Sequence, residues 1–265
     1  MENKTGKLFK RFIFIAFLGS MIGYLLYSVV SCTDKKYDYV DLTEADFVQI
    51  REPDENAPKT IIHTDYGDIT ATLYPQFAPK TVANFVRLAE SDYYDDSFIY
   101  RIEPTVFFAG GSQNPDGTIG SKYNVENERV EKEISSSLWP IKGALCACDS
   151  GSDSGFWKAF TNSEKYYTGS KFFICNTIEM TEEIKTELLA SENRRPIGEV
   201  FIARGGIPNF SQEAAVFGQV TSGIEIAEDI TNAETASDNG TIRPKNEIKI
   251  KGIDILNYDS ESTSN

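Results

Sequence analysis

The chain has 265 residues, 40% of them hydrophobic, and a formal net charge of −14 at pH 7. This length and composition suffice for the hydrophobic core of one large domain. A surface this acidic repels phosphate backbones, which excludes nucleic acid as a partner.

The N-terminal segment is typical of a targeting sequence. Basic residues within 1–11 precede an almost uninterrupted apolar run at 12–30, a pattern that directs a chain out of the cytoplasm. Small residues before Cys32 resemble a bacterial lipobox, whose cysteine carries lipid, but the run is also long enough to span a bilayer as an uncleaved anchor. We therefore assign 1–31 to a signal peptide or a membrane anchor and leave both alternatives open. Either one predicts an extracytoplasmic domain that is tethered to the cell membrane.

The other domain boundaries follow from composition. Residues 32–58 are charged and lack hydrophobic periodicity, so they are predicted to form a linker, with order starting near Thr60. Residues 258–265 are predicted to form a polar tail. The sequence thus predicts one domain at 59–257, which we expect to be monomeric.

The first half of this domain predicts a hairpin, a helix and a strand. The stretch "TIIHTDYGDITATLYP" alternates apolar and polar residues on both sides of Tyr66 and Gly67, as a β-hairpin does. Next, "APKTVANFVRLAE" has apolar residues at helical spacing and Pro79 at the start, where its missing N–H is harmless. A strand is predicted at 98–108, followed by a polar, glycine-containing loop.

The second half predicts further strands and two insertions. Strands "GALCAC" and "KFFICNT" are separated by a polar insertion at about 150–168, and a second insertion at 179–206 carries the helix-like "TEEIKTELLASE". The stretches "AVFGQV" and "NEIKIKGIDIL" predict strands, and "GIEIAEDITNAET" between them predicts a short helix. Several strands with only two long helices favour an antiparallel barrel capped by helices.

Neither a hydrolase nor a metal centre is favoured by the reactive residues. His63, the single histidine, lies on a predicted strand with no serine or cysteine nucleophile placed to use it, which argues against a Ser–His or Cys–His hydrolase. Cys146, Cys148 and Cys175 lie in apolar runs and are interpreted as buried small hydrophobic residues, and their redox state stays open. The stretch "DSGSDSG" lacks the ligand spacing of a calcium loop. We therefore expect no metal and no cofactor.

One charged residue interrupts the apolar stretch "FIYRIEPTVFFAGG". Arg101 is the only cation in this stretch, and burying a guanidinium without a partner costs several kcal/mol. Two interpretations are open: Arg101 reaches the surface and pairs with an acid such as Glu103, or it faces a pocket.

Five segments in a fixed order resemble the cyclophilins, the peptidyl-prolyl cis-trans isomerases. They are "GDITATLYPQFAPKTVANFVRLA", "FIYRIEPTVFFAGG", "KGALCACD", "TGSKFFICNT" and "AVFGQVTSGIEI", and the resemblance extends from Thr60 to about Leu256. It implies a mostly β fold, an eight-stranded antiparallel β-barrel capped by two α-helices. It also implies isomerisation of X-Pro bonds in unfolded or extended proline-containing polypeptides, without a cofactor and with Arg101 as the catalytic residue.

The resemblance further implies which residues line the substrate groove. Its apolar positions correspond to Val106, Phe107, Ala147, Phe173 and Phe210, with Phe173 as the aromatic floor of the proline pocket; at Phe107 ordinary core packing is an equal alternative.

Positions that are usually polar correspond to Ala109, Asp149, Lys171 and Ala214. Fewer hydrogen-bonding groups predict reduced activity, so a weakly catalytic peptide-binding module or chaperone is the second hypothesis.

Overall fold

A computed structural model describes residues 47–118, 130–149, 167–238 and 241–259. The predicted N-terminal segment with Cys32, nearly all of the first insertion, the end of the predicted tail and the side chain of Asp149 lie outside this description. Within the described ranges, no helix has the length and apolar character needed to cross a membrane.

The described ranges contain twelve strands and four α-helices. The strands are β1 Lys59–Thr64, β2 Gly67–Leu73, β3 Ser97–Phe98, β4 Arg101–Glu103, β5 Phe107–Gly110, β6 Val130–Glu131, β7 Ala144–Asp149, β8 Tyr167–Cys175, β9 Ala215–Ser222, β10 Thr235–Asp238, β11 Thr241–Pro244 and β12 Lys249–Leu256. The helices are α1 Pro79–Glu90, α2 Glu182–Leu189, α3 Arg195–Arg204 and α4 Ile224–Thr231.

An antiparallel sheet with the order β3-β12-β1-β2-β9-β7-β8-β5-β4 forms the body of the domain. Strands β3 and β4 are two halves of the run 97–103, of which β3 pairs with β12 and β4 with β5. The Phe98 amide also donates to the Ser112 carbonyl, 2.8 Å away. This run therefore joins the two edges of the sheet, which curls into a barrel. Counting β3 and β4 as one strand, and β6 as an addition to β8, gives the eight barrel strands that the resemblance implies.

Side chains on β5, β7, β8 and β9 alternate between two hydrophobic clusters. The interior cluster includes Phe108, Leu145, Phe172 and Phe217, and the buried residues of α1 and α4 join it. Both helices pack against the sheet, which confirms the two capping helices. The outer cluster takes the alternate positions of the same strands, such as Phe173 beside Phe172. Because both faces are covered there, the stretches "ALCAC" and "FFIC" are apolar throughout.

The second insertion folds into two helices where the sequence analysis predicted one. Thr181 caps α2 by accepting a hydrogen bond from the Ile184 amide, as N-cap threonines do. Ile197 and Phe201 bury one face of α3. Gly198 lets α3 approach the Leu188 carbonyl more closely than any Cβ would allow.

The β10–β11 hairpin was also absent from the sequence analysis. Its last register pair joins Asp238 to Thr241, so the sequence between the strands is Asn239-Gly240. That dipeptide is the strongest short-range hairpin signal.

Order begins before the start that was predicted near Thr60. Residues Val48–Ile50 form a short 3-10 helix in which the Gln49 side chain is buried. Its amide nitrogen donates to the Trp139 carbonyl and to the Gln219 side chain, both at 2.9 Å, and its oxygen accepts from the Trp139 amide. The last part of the predicted linker is therefore folded onto the barrel. A single glutamine between Val48 and Ile50 carries no periodic signal from which this contact could be predicted.

Candidate active site

Three phenylalanines form an aromatic cluster on the outer face of the barrel. Phe107 comes from β5, Phe173 from β8, and Phe210 from the 3-10 helix Pro208–Phe210. The ring centroids of Phe107 and Phe173 lie 5.4 Å apart, and Phe210 lies 6.1 Å and 5.7 Å from them. These separations are typical of favourable aromatic pairs. The three rings make a continuous apolar surface.

Arg101 lies at the edge of this aromatic cluster. Its guanidinium carbon is 5.3 Å from the centroid of the Phe107 ring, within the range of a cation–π contact. One guanidinium nitrogen also donates to a Glu103 carboxylate oxygen at 3.1 Å, and the Arg101 side chain is 47% exposed. The first interpretation of Arg101 is therefore met, because it reaches solvent and pairs with Glu103. It also borders the aromatic cluster, and a pocket at this position stays a prediction.

Strand register explains why the cation lies beside this surface. Arg101 pairs with Ala109, Ala109 with Phe173, and Phe173 with Cys146. Residues in register across a sheet share one face, so this row points outward from the barrel. The row places a permanent positive charge, a small methyl group and an aromatic ring next to one another.

Comparison with known proteins identifies the family to which this arrangement belongs. A family model described as cyclophilin type peptidyl-prolyl cis-trans isomerase/CLD matches residues 59–255. The chain is a cyclophilin.

Curated relatives and solved structures agree with this family. A Staphylococcus epidermidis protein named as a peptidyl-prolyl cis-trans isomerase is 31% identical over 205 residues, which cover 77% of this chain and 95% of that protein. A Streptococcus pyogenes protein named as a bifunctional phosphatase/peptidyl-prolyl cis-trans isomerase is 32% identical over 80% of this chain, but the match spans only 42% of that protein.

The fold is also that of a Cryptosporidium parvum cyclophilin type isomerase, with a TM-score of 0.54, 22% identity and coverage of 77% of this chain and 99% of that one. The same isomerase, in a structure determined in the presence of the dipeptide Ala-Pro, gives a TM-score of 0.53 and 21% identity and covers 76% of this chain and 99% of that one.

Most of the positions that were predicted to line the groove lie together on the outer face. Val106 and Ala214 are partly buried and pack, with Phe210, against the outer cluster. Ala109 is buried within the same cluster. The polar positions implied by the resemblance are therefore occupied here by methyl groups at Ala109 and Ala214.

Ala147 is the predicted groove residue that the structure places elsewhere. It belongs to the interior cluster, and its register partners Phe172 and Ala215 belong to that cluster too. The prediction for Ala147 was therefore wrong by one position, because the outward-facing residues of β7 are Cys146 and Cys148.

Tyr100 and Cys148 are outer-face residues that sequence reasoning did not select. The Tyr100 hydroxyl lies 3.7 Å from the Cys148 sulfur, and both side chains pack against the outer cluster. Burial raises the pKa of Tyr100 well above its ordinary value, because a phenolate would lose its hydration. The stretch "ALCAC" is apolar at every position, so its pattern gave no signal for Cys148.

Lys171 follows the outer face of β8 two residues before Phe173. Its ammonium group donates to the Gly117 carbonyl and lies 5.0 Å from the centroid of the Tyr100 ring. The backbone of Asp149, on the neighbouring strand, pairs with Thr168.

Among the described residues, Cys146 and Cys175 form no disulfide bond. The sulfur atoms of Cys146 and Cys175 lie 3.7 Å apart and are buried in the outer cluster. Burial raises the pKa of the Cys146 thiol, so it stays protonated and poorly nucleophilic. The described ranges also contain no group of three or more His, Cys, Asp or Glu side chains that could hold a metal ion.

His63 contacts two carboxylates and no nucleophile. Its ring nitrogens lie 2.8 Å from Asp68 and 3.1 Å from Asp254. The hydrogen bond with Asp68, followed by that with Asp254, raises the pKa of His63 above its ordinary value. The two carboxylates therefore favour the protonated ring, and His63 is a structural residue of this barrel.

The pKa of His63 predicts how stability depends on pH. Folding favours the protonated ring, so this stabilisation is fully present below the unfolded-state pKa of about 6.5 and is lost as pH rises through the higher pKa of the folded state. Urea unfolding between about pH 5.5 and 8.5 should show a falling free energy of unfolding for the wild type. His63→Gln should be less stable at low pH and show a flatter profile, since His63 is the only histidine. An unchanged slope in His63→Gln would contradict the prediction.

Proposed function

We propose that this cyclophilin accelerates the folding of exported proteins by isomerising their X-Pro bonds, with Arg101 as an electrostatic catalyst. One observation carries the proposal: the Arg101 guanidinium lies 5.3 Å from the Phe107 ring, at the rim of the aromatic cluster. In this arrangement the aromatic cluster can hold a proline ring, and the guanidinium can donate a hydrogen bond to the amide that precedes the ring. Proline-containing unfolded or extended polypeptides are the proposed substrates.

The chemistry requires a donor that favours the twisted amide. Rotation about an X-Pro bond is opposed by about 20 kcal/mol, because the nitrogen lone pair is delocalised into the carbonyl. In the transition state this delocalisation is lost and the nitrogen becomes a better hydrogen-bond acceptor. A guanidinium directed at the proline nitrogen or at the twisting carbonyl oxygen therefore stabilises the transition state more than either planar ground state. No bond is made or broken, so neither a nucleophile nor a cofactor is needed.

Each neighbour of Arg101 has a part in this proposal. Within the described ranges, Glu103 is the acceptor that the guanidinium contacts. The other N–H groups of Arg101 can therefore reach a bound peptide. An arginine suits this task because it stays charged and its donors form a rigid fork. The rings of Phe107, Phe173 and Phe210 exclude water from one side of the bound amide, which strengthens a hydrogen bond made there.

A weakly catalytic peptide-binding module is the second candidate function. Ala109 and Ala214 favour it, because methyl groups at these two outer-face positions cannot hydrogen-bond a substrate backbone. The aromatic cluster could still grip a proline ring, since apolar contact needs no polar partner. Arg101 beside the cluster favours the isomerase over this alternative.

The tether and the export of the substrates are proposed from the N-terminal sequence. Basic residues and the apolar run at 12–30 support a membrane attachment outside the cytoplasm. Cys32→Ala should block lipid attachment and release the protein from membranes if Cys32 is lipidated. Unchanged membrane association in this variant would instead support the spanning anchor.

The test of the isomerase is exchange NMR on a short Ala-Pro peptide with the full-length protein in detergent. We expect cis-trans exchange to become much faster than the uncatalysed rate, whose time constant is about 10 to 100 s at 25 °C. Peptide shift changes without faster exchange would favour the binding module. The absence of both effects would refute the two candidate functions together.

A further inference from the structure

Lys171 is a positive charge on the groove face that has no acidic partner in the described part of the chain. Its ammonium group contacts the Gly117 carbonyl and the Tyr100 ring, and neither contact neutralises it. Arg101, by contrast, forms an ion pair with Glu103 at 3.1 Å. The whole chain has a net charge of −14, so Lys171 stands out from an acidic surface.

The position of Lys171 is fixed by the residues that it contacts. Gly117 has a φ of +83°, and a Cβ there would lie 2.7 Å from the Tyr100 ring, so the loop backbone lies directly against that ring. The carbonyl of Gly117 accepts the hydrogen bond from Lys171. Tyr100 itself precedes Arg101 and packs against the outer cluster. The ammonium group is therefore held beside the groove by contacts that already exist without a peptide.

The distance between Lys171 and the aromatic cluster sets which part of a peptide it could reach. Phe173 lies two residues further along β8, which separates the two side chains by about 7 Å on the same face. An extended peptide advances about 3.3 to 3.6 Å per residue. If the proline ring of a peptide lies on the aromatic cluster, Lys171 is level with the peptide side chain one or two residues from that proline.

We propose that Lys171 makes the groove select peptides that carry an acidic side chain within two residues of the proline. This inference rests on the proposed function, because it takes the aromatic cluster as the site of the proline ring. A carboxylate is the complementary group, since it attracts a charge that has no acidic partner among the described residues. It can also accept hydrogen bonds from the ammonium N–H groups that Gly117 does not use. The preference concerns binding and need not alter the isomerisation step itself.

The expected preference is modest and depends on salt. Lys171 is partly buried, and ion pairs near a protein surface change affinities by about 1.4- to fivefold. Screening reduces such attraction at high ionic strength, where the Debye length falls to about 3 Å at 1 M salt. A preference caused by shape instead of charge would not respond to salt in this way.

The experiment compares Ala-Pro peptides in which Glu, Gln or Lys is placed at each of two positions on either side of the proline. Exchange NMR gives the isomerisation efficiency, and peptide shift titrations give Kd. At one or more positions we expect Glu to exceed Gln by about 1.4- to fivefold at low salt and Lys to fall below Gln. Lys171→Gln should reduce the Glu to Gln ratio towards one, and Lys171→Glu should invert it.

Lys185→Gln provides a matched control. This substitution removes the same charge from α2, where Lys185 pairs with Glu182 at 2.7 Å. The Glu to Gln ratio should stay at its wild-type value. A wild-type ratio of one at every position, or a preference that survives in Lys171→Gln, would overturn the inference. If no peptide is isomerised, the proposed function fails by itself, and the ratios of Kd still decide the role of Lys171.

Discussion

Arg101→Ala is expected to lower kcat/KM for X-Pro isomerisation by about 100-fold, the lower end of the loss seen when one donor to a transition state is removed. The lower end applies because the Arg101 side chain is 47% exposed, and water weakens each hydrogen bond that it makes. Exchange NMR on an Ala-Pro peptide measures the rate, and circular dichroism checks that the variant is folded. Equal rates for wild type and variant would show that another group is the catalyst.

Two further variants separate charge, geometry and positioning at this residue. Arg101→Lys keeps the positive charge but loses the planar fork, so it should recover only part of the lost rate. Glu103→Gln removes the carboxylate 3.1 Å from the guanidinium and should change kcat/KM by less than about tenfold, since exposed ion pairs contribute only about 0 to 1 kcal/mol. A full recovery in Arg101→Lys would mean that charge alone carries the effect.

The sequence predicted the barrel because its elements are encoded locally. Local sequence patterns predicted the hairpin turn at Tyr66 and Gly67, the amphipathic helix that begins at Pro79, and the closing strand. The structure contains all three elements at the predicted places. Arg101 and Phe173 were predicted from the resemblance, and strand register places them in one row. Neither residue needed information about distant contacts.

Ala147 and Gln49 show where the sequence was insufficient. Strand β7 is apolar on both faces, because the outer cluster covers the side that would otherwise face water. No contrast between polar and apolar residues therefore distinguished the outward Cys148 from the inward Ala147. Gln49 is ordered by Trp139 and Gln219, far away in the sequence, and long-range hydrogen bonds leave no local pattern. The Arg101 to Glu103 contact, by contrast, was foreseen as an alternative because the two residues are neighbours on one strand face.

Phe172 and Phe173 are adjacent residues whose substitution should have opposite consequences. Phe172 is buried in the interior cluster, where its ring contacts those of Phe85 and Tyr94 at 5.7 Å and 5.8 Å. Phe172→Ala leaves a cavity in the barrel and should lower the free energy of unfolding by about 3 to 5 kcal/mol, a large part of the stability of a typical domain. Urea unfolding with a constant m-value measures this loss.

Phe173→Ala should reduce activity more than stability. Its ring is 8% exposed and contacts the rings of Phe107 and the partly exposed Phe210, so we expect water or a neighbouring ring to fill part of the space left by its removal. The free energy of unfolding should fall by less than in Phe172→Ala, while KM for Ala-Pro peptides should rise because the proline ring loses its apolar floor. In Phe172→Ala the folded fraction should retain its KM. If Phe173→Ala instead destabilises the protein as much as Phe172→Ala and leaves KM unchanged, the aromatic cluster is a second core and the proline ring binds elsewhere.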